Sequence, residues 1–311
     1  MCEASSNRYG SIMHGPNDSG HSPRFADLAQ LIRLPAALSV PGDVLAGAVA
    51  SVGRPGPRIV GTMASSVALY WAGMALNDYA DATVDAVERP QRPVPSGRVA
   101  RRTALATACG LTAAGLGLAT LTGGRRALGV ALPLTGLVWA YDLGLKSTPA
   151  GPAAMAGARA LNVLAGAEPG RRSSALPAAL LIGAHTYTVT ALSRHEVSGA
   201  PRAVPAATLV GSTATALAAA ALPAVRRGSR AARIGAAAGA LGYLASYGTA
   251  QVRAAREPSA ANVRSAVGTG IMSLMPLQAA LTAGGGGAVA AGVLAVAHPL
   301  ARRLARKVSP T

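Results

Sequence analysis

Ten apolar runs, each close to twenty residues long, leave this chain few ways to fold. They occupy residues 31–52, 59–80, 103–122, 127–145, 150–167, 175–196, 204–224, 231–250, 264–283 and 286–304. The hydrocarbon core of a bilayer, about 30 Å thick, is crossed by about 20 apolar residues in a helix. No water reaches that core, so the backbone must bond to itself in a helix or a closed barrel. A barrel would show alternating strands of about ten residues. The runs here are longer, unalternating and rich in Ala, Gly, Leu and Val, with small residues spaced for close helix packing. The expected fold class is therefore all-α, a polytopic transmembrane helical bundle of nine to ten spans. Half of the residues are apolar and 13% are charged, which excludes disorder, collagen and a coiled coil. Pro, Gly and Arg separate the runs, and Gly284-Gly285-Gly286-Gly287 reads as a tight turn between the last two.

The formal net charge is +17. Nucleic acid is not the expected partner, because single-strand binding surfaces carry stacking aromatics and these are 3% of the chain. The arginines come in short groups between apolar runs, as in membrane loops. Lipid headgroups and a phosphorylated substrate are the expected anions. Cys2 and Cys109 stand far apart, which excludes a disulfide scaffold and a cysteine zinc site. Residues 1–27 are polar, lack the apolar stretch of a signal peptide, and read as a disordered cytosolic tail containing His14 and His21. A membrane domain over 28–306 and a cytosolic tail over 307–311 follow. With the N-terminus inside, eighteen Lys and Arg fall in inside loops and ten outside, four of these at 226–233. That bias places the protein in the cell membrane as a multi-pass chain with its N-terminus in the cytoplasm.

Four of the twelve acids fall within eleven residues: Asp78, Asp81, Asp85 and Glu88. Spacings of three and four put Asp78, Asp81 and Asp85 on one helix face, a turn apart. Stacked like charges at a membrane mouth need a cation among them, and carboxylate oxygens with waters and phosphates describe a Mg²⁺ site. The loop that follows carries Arg89, Arg92 and Arg98 among three prolines. Metal plus arginines is a usual way to hold a diphosphate.

Asn77-Asp78-x-x-Asp81-x-x-x-Asp85 followed by Arg89-Pro90-x-Arg92-Pro93-x-Pro95-Ser96-Gly97-Arg98 resembles the first signature of the UbiA family of intramembrane prenyltransferases. The resemblance covers roughly residues 28–306. It implies a bundle of about nine spans, Mg²⁺ as cofactor, a prenyl diphosphate as donor and a small, usually aromatic, acceptor. It also implies that Asn77, Asp78, Asp81 and Asp85 hold metal and diphosphate. The family's second signature, Asp-x-x-x-Asp, falls where this chain reads Leu192-Ser193-Arg194-His195-Glu196. Glu196 stands for the second acid as metal ligand, Leu192 holds the place of the first, and Arg194 and His195 are candidate phosphate contacts. This variant resembles the EboC-like branch, as do Val40-Pro41-Gly42-Asp43, the stretch from Ala158 to Leu164, and the stretch from Gly270 to Ala280.

Other polar residues lie inside the runs. Arg159 and Asn162 share a face of the fifth, and a mid-span arginine must face protein or water. Arg159 is expected either to face the cavity and hold an anion or to pair with Asp43 or Asp142. Pro41-Gly42 should break the first helix locally beside Asp43. Lys146, after Tyr141 and Asp142, matches the position of the family's diphosphate lysine or is a snorkelling cation. His185 reads equally as a base or as a packed, hydrogen-bonded group, and Gln278 and His298 as structural. The candidate catalytic set is Asp78, Asp81, Asp85, Lys146, Arg159 and Glu196, and the diphosphate set is Asn77, Arg89, Arg92, Arg98, Arg194 and His195. The proposed chemistry is Mg-dependent transfer of a prenyl group. A membrane transporter or non-catalytic component for metabolite export is the competing reading.

Overall fold

The computed structural model describes residues 24–308 apart from 223, 224 and 226. The calls on Cys2, His14, His21 and most of the N-terminal tail therefore lie outside the described residues, as do Arg226 and 309–311. All regular structure among the described residues is helical, as the apolar runs predict. Five helices among the described residues are long and apolar enough to cross a membrane by length and composition.

A short helix, α1 (Phe25–Leu31), begins inside the segment expected as tail. A 3₁₀ turn (Leu34–Ser39) leads into α2 (Val40–Val52). The first apolar run is thus broken just before Pro41, which takes a first-turn position where its missing N–H costs nothing. Next come α3 (Ile59–Ala80), α4 (Ala82–Glu88) and α5 (Arg101–Leu143). The 43 residues of α5 contain Gly124 at φ 59°, ψ −150°, a conformation open essentially to glycine alone. There the chain folds back on itself: Trp139 Nε1 donates to Thr112 Oγ1 at 3.2 Å, 27 residues away. One unbroken assignment therefore holds the third and fourth runs as a hairpin.

Then follow α6 (Gly151–Gly166), α7 (Arg172–Ser193) and α8 (Ala203–Ala221). The eighth run becomes α9 (Arg230–Tyr243), a π turn (Leu244–Gly248) and α10 (Thr249–Arg256). The last two are α11 (Ala260–Gly284) and α12 (Ala288–Val308), joined at Gly286, φ 93°, within the glycine run. The main core is built from α2, α6, α7, α8, α9 and α11 around Ile182, Leu192, Tyr243, Tyr247 and Leu277, all fully buried. His185 belongs to it. Its Nδ1 lies 3.0 Å from the Tyr243 hydroxyl, and both Tyr243 and Tyr247 meet its ring edge-on. Small residues permit this closeness: a Cβ on Gly47 would stand 1.8 Å from the Val163 carbonyl oxygen, and one on Gly166 would stand 2.0 Å from that of Val44.

A candidate active site at one face of the bundle

The acid motif straddles the end of a span. Helix α3 stops at Ala80, Asp81 takes φ −88°, ψ 5°, and α4 starts at Ala82. This kink changes the expected geometry. The Asp78 and Asp85 carboxylates turn inward, 2% and 1% exposed, and converge on one guanidinium. Arg92 Nη1 is 2.5 Å from Asp85 Oδ2 and 3.6 Å from Asp78 Oδ1. Asp81 points elsewhere: Lys146 Nζ is 2.5 Å from its Oδ1, and Asn77 Nδ2 donates to its Oδ2 at 3.0 Å. The three aspartates therefore do not close on a single point, and no group of three or more His, Cys, Asp or Glu among the described residues does.

Every carboxylate of the motif is matched by a cation of the chain. Arg89 lies 3.7 Å from Asp85. Arg33 reaches Asp78 at 3.1 Å and Asn77 Oδ1 at 3.5 Å. Its backbone is left-handed (φ 48°), the one such residue other than glycine among those described. Arg33 thus aims into the site from between α1 and the 3₁₀ turn. Asp142, one of the two partners expected for Arg159, instead accepts from Asn77 Nδ2 at 3.3 Å. Nothing local in the sequence marks either residue, since both join the site across more than forty positions.

The proline-rich loop is held by its own apolar pegs. Val94 and Val99 are buried in a cluster with Leu31, Ala75, Leu76, Ala104 and Ala108, which fixes Arg92 over the aspartates. Arg98 is directed away from them. Its Nη1 takes Asp27 at 2.6 Å and Gln30 at 2.9 Å, and its Nη2 takes the Gln91 carbonyl at 2.8 Å, so it straps the loop to α1.

The second motif lies at the same face. Arg194 donates to the Thr148 carbonyl, and Arg264 Nη2 donates to the Glu196 carbonyl at 3.2 Å. Burial pushes the Glu196 carboxyl above the ordinary range, while the nearby charges of Arg89 and Arg264 pull it back. Arg89, paired with Asp85 of the first motif, is thus near enough for its charge to act on Glu196 of the second. Leu192, where the family pattern has an acid, is fully buried in the main core. His195 is half-buried beside Glu196. Arg159 takes the paired alternative: its Nε is 3.0 Å from Asp43 Oδ2. Asn162 Nδ2 donates to the same carboxylate at 2.9 Å, and Gln278 Nε2 to its other oxygen at 2.7 Å. This network joins α2, α6 and α11 within the bundle, apart from the acid motif.

Asp78 and Asp85 fit a hard divalent ion. Their donors are carboxylate oxygens only, they are nearly dry, and they already enclose one positive group, the Arg92 guanidinium.

Comparison with known proteins agrees with this geometry. A family model described as the UbiA prenyltransferase family matches residues 40–196. The digeranylgeranylglyceryl phosphate synthase of Methanopyrus kandleri is 43% identical over 110 residues, 35% of this chain and 38% of that protein. The protein of the same name from Ignicoccus hospitalis is 38% identical over 123 residues, 38% of this chain and 39% of its own length. The chain thus spans under two fifths of the curated relatives it matches. In fold, a solved structure concerning digeranylgeranylglyceryl phosphate synthase in membranes superposes with TM-score 0.63 at 14% identity, covering 84% of this chain and 98% of that one. The apo structure of a UbiA homologue from Aeropyrum pernix K1 gives 0.61 at 17% identity, covering 79% and 96%. The match spans half of the chain and contains both acid motifs, and the chain belongs to the UbiA prenyltransferase family.

Proposed function

We propose that this protein is a membrane prenyltransferase, Mg-dependent, that moves a prenyl group from a prenyl diphosphate to an aromatic or other small acceptor. The carrying observation is the Arg92 guanidinium enclosed between the Asp78 and Asp85 carboxylates. Carboxylates that hold a guanidinium between them have the charge to hold Mg²⁺, and Arg92 would then be free to donate to phosphate oxygens. Bound Mg²⁺ supplies charge neutralisation of the diphosphate leaving group. Around it, Arg89, Arg92, Arg33 and Lys146 are the phosphate donors, and Arg194 and His195 lie at the same face. As the C–O bond of the allylic diphosphate breaks, these cations stabilise the charge that develops on the diphosphate. The acceptor's electron pair forms the new bond to the allylic carbon. Packing of the site against the bundle keeps water from that carbon.

The names of the curated relatives support a geranylgeranyl donor and make a phosphorylated glyceryl lipid the first acceptor to try. The variant second motif, with Leu192 in the core and Glu196 beside Arg89 and Arg264, supports one Mg²⁺ rather than two, and placement in the EboC-like branch. The loop charge bias supports a domain over 28–306 in the cell membrane with the acid site facing the cytoplasm. The test incubates the purified protein with radiolabelled geranylgeranyl diphosphate, Mg²⁺ and candidate acceptors. A prenylated product that needs both Mg²⁺ and Asp78 supports the reading. No diphosphate binding and no product from any acceptor would favour the non-catalytic component.

A further inference from the structure

The face opposite the acid motif has its own charge pattern. The α2–α3 connection, the Gly124 turn of α5, the α6–α7 connection and the α8–α9 connection all meet there. Contacts tie the first three together. Arg172 Nη2 donates to the Arg126 carbonyl at 2.6 Å, and the Glu168 N–H donates to Ser51 Oγ at 3.1 Å. A Cβ on Gly284 would stand 2.4 Å from Val225.

Arg54 and Arg58 lie exposed in the first connection, and Arg125 and Arg126 at the α5 turn. Arg171 is exposed before α7, and Arg227, Arg230 and Arg233 are exposed at the start of α9. The one acid in these connections is Glu168. Among the described residues, none of these eight arginines has a carboxylate within 4.0 Å. Such density opposes the orientation signal, because membrane chains keep Lys and Arg off one side. The cations here are all arginine, whose planar fork binds phosphate through two parallel N–H bonds. Between the α2–α3 and α6–α7 connections lies a recess of about 690 Å³ lined by Ser51, Arg54, Pro55, Pro57, Glu168 and Arg171. Two arginines stand on its walls, Arg54 just after α2 and Arg171 just before α7.

We propose that this face binds anionic phospholipid headgroups, with Arg54 and Arg171 gripping one phosphate in the recess. The test places the full chain in nanodiscs of phosphatidylcholine alone or mixed with phosphatidylglycerol, and reads thermal stability and lipid affinity. Phosphatidylglycerol should raise the melting temperature at low salt, and the gain should shrink at high salt. The Arg54→Gln/Arg171→Gln pair should bind phosphatidylglycerol about tenfold more weakly, the scale of one lost charged hydrogen bond. Arg253→Gln/Arg256→Gln, at the opposite face, should keep the gain. The difference between the two lipid mixtures is read for each variant, so a general loss of stability cancels. An undiminished gain in the Arg54/Arg171 pair would overturn the proposal. So would an equal gain from inorganic phosphate in phosphatidylcholine discs, which would assign the recess to a free anion.

Discussion

At the residue scale the acid motif is a set of carboxylates held ready by the chain's own cations. Among the described residues Arg92 alone touches both Asp78 and Asp85, so it competes with any metal. Arg92→Gln should therefore tighten Mn²⁺ binding measured by electron paramagnetic resonance in the absence of diphosphate, by about tenfold, and should weaken diphosphate binding by a similar factor. Asp78→Asn should lower metal affinity on the order of 100-fold. Asp81→Asn should do less, because its carboxylate is turned to Lys146 and Asn77. Glu196 gives a pH signature. Its folded pKa is raised, so its favourable contribution is complete below its unfolded value and fades as pH rises through the folded one. Thermal scans of Glu196→Gln should match the parent in acid and exceed it toward neutral pH. A constant difference across that range would remove Glu196 from its half-buried place beside Arg89. The spacing in the sequence singled out these acids as candidates. It did not show that Asp81 faces away, because that depends on a kink at one residue.

At the element scale, two features carry the packing. The α5 hairpin turns at Gly124 without an intervening loop. Gly124→Val forces a side chain into a glycine-only conformation and should cost about 1–3 kcal/mol, read as a lower melting temperature in detergent. The Asp43–Arg159 pair joins α2 to α6, with Asn162 and Gln278 completing the bonds. Arg159→Met would leave Asp43 buried without its charge partner and should destabilise the bundle by about 3–5 kcal/mol. Asp43→Leu/Arg159→Met should recover most of that loss. If the double variant is no better than the single, Arg159 acts through something other than Asp43. The apolar runs made the long helices legible, but not α1 or α4. Nor were the partners of the polar residues inside the runs legible, because Gln278 lies 235 positions from Asp43 and only packing brings them together.

At the scale of the whole molecule, the bundle gathers the two motifs at one face and a second arginine-rich surface at the other. Lys146 to Asp81, Arg194 to the Thr148 carbonyl, and Arg264 to the Glu196 carbonyl all lie at the first face. Ser96→Cys and Ser198→Cys should be labelled by a membrane-impermeant thiol reagent from the same side, and Gly56→Cys from the other, in a background with Cys2 and Cys109 replaced. Labelling of Ser96→Cys and Ser198→Cys from opposite sides would separate the motifs and end the shared-site reading.

Ten apolar runs determined by themselves that the chain is an all-helical membrane bundle, because burial in hydrocarbon leaves the backbone no other way to satisfy its hydrogen bonds. The local spacing of Asn77, Asp78, Asp81 and Asp85 pointed to the family and to carboxylate donors, since these side chains are neighbours along one stretch of chain. Only the tertiary structure decided which cations meet which acids. It brought Arg33 to Asp78 across 45 positions, paired Arg159 with Asp43, turned Arg98 away to α1, and set Leu192 in the core. Each of these depends on how helices dock, and docking is set by the close fit of small residues such as Gly47 and Gly166 rather than by any pattern local to the charged groups.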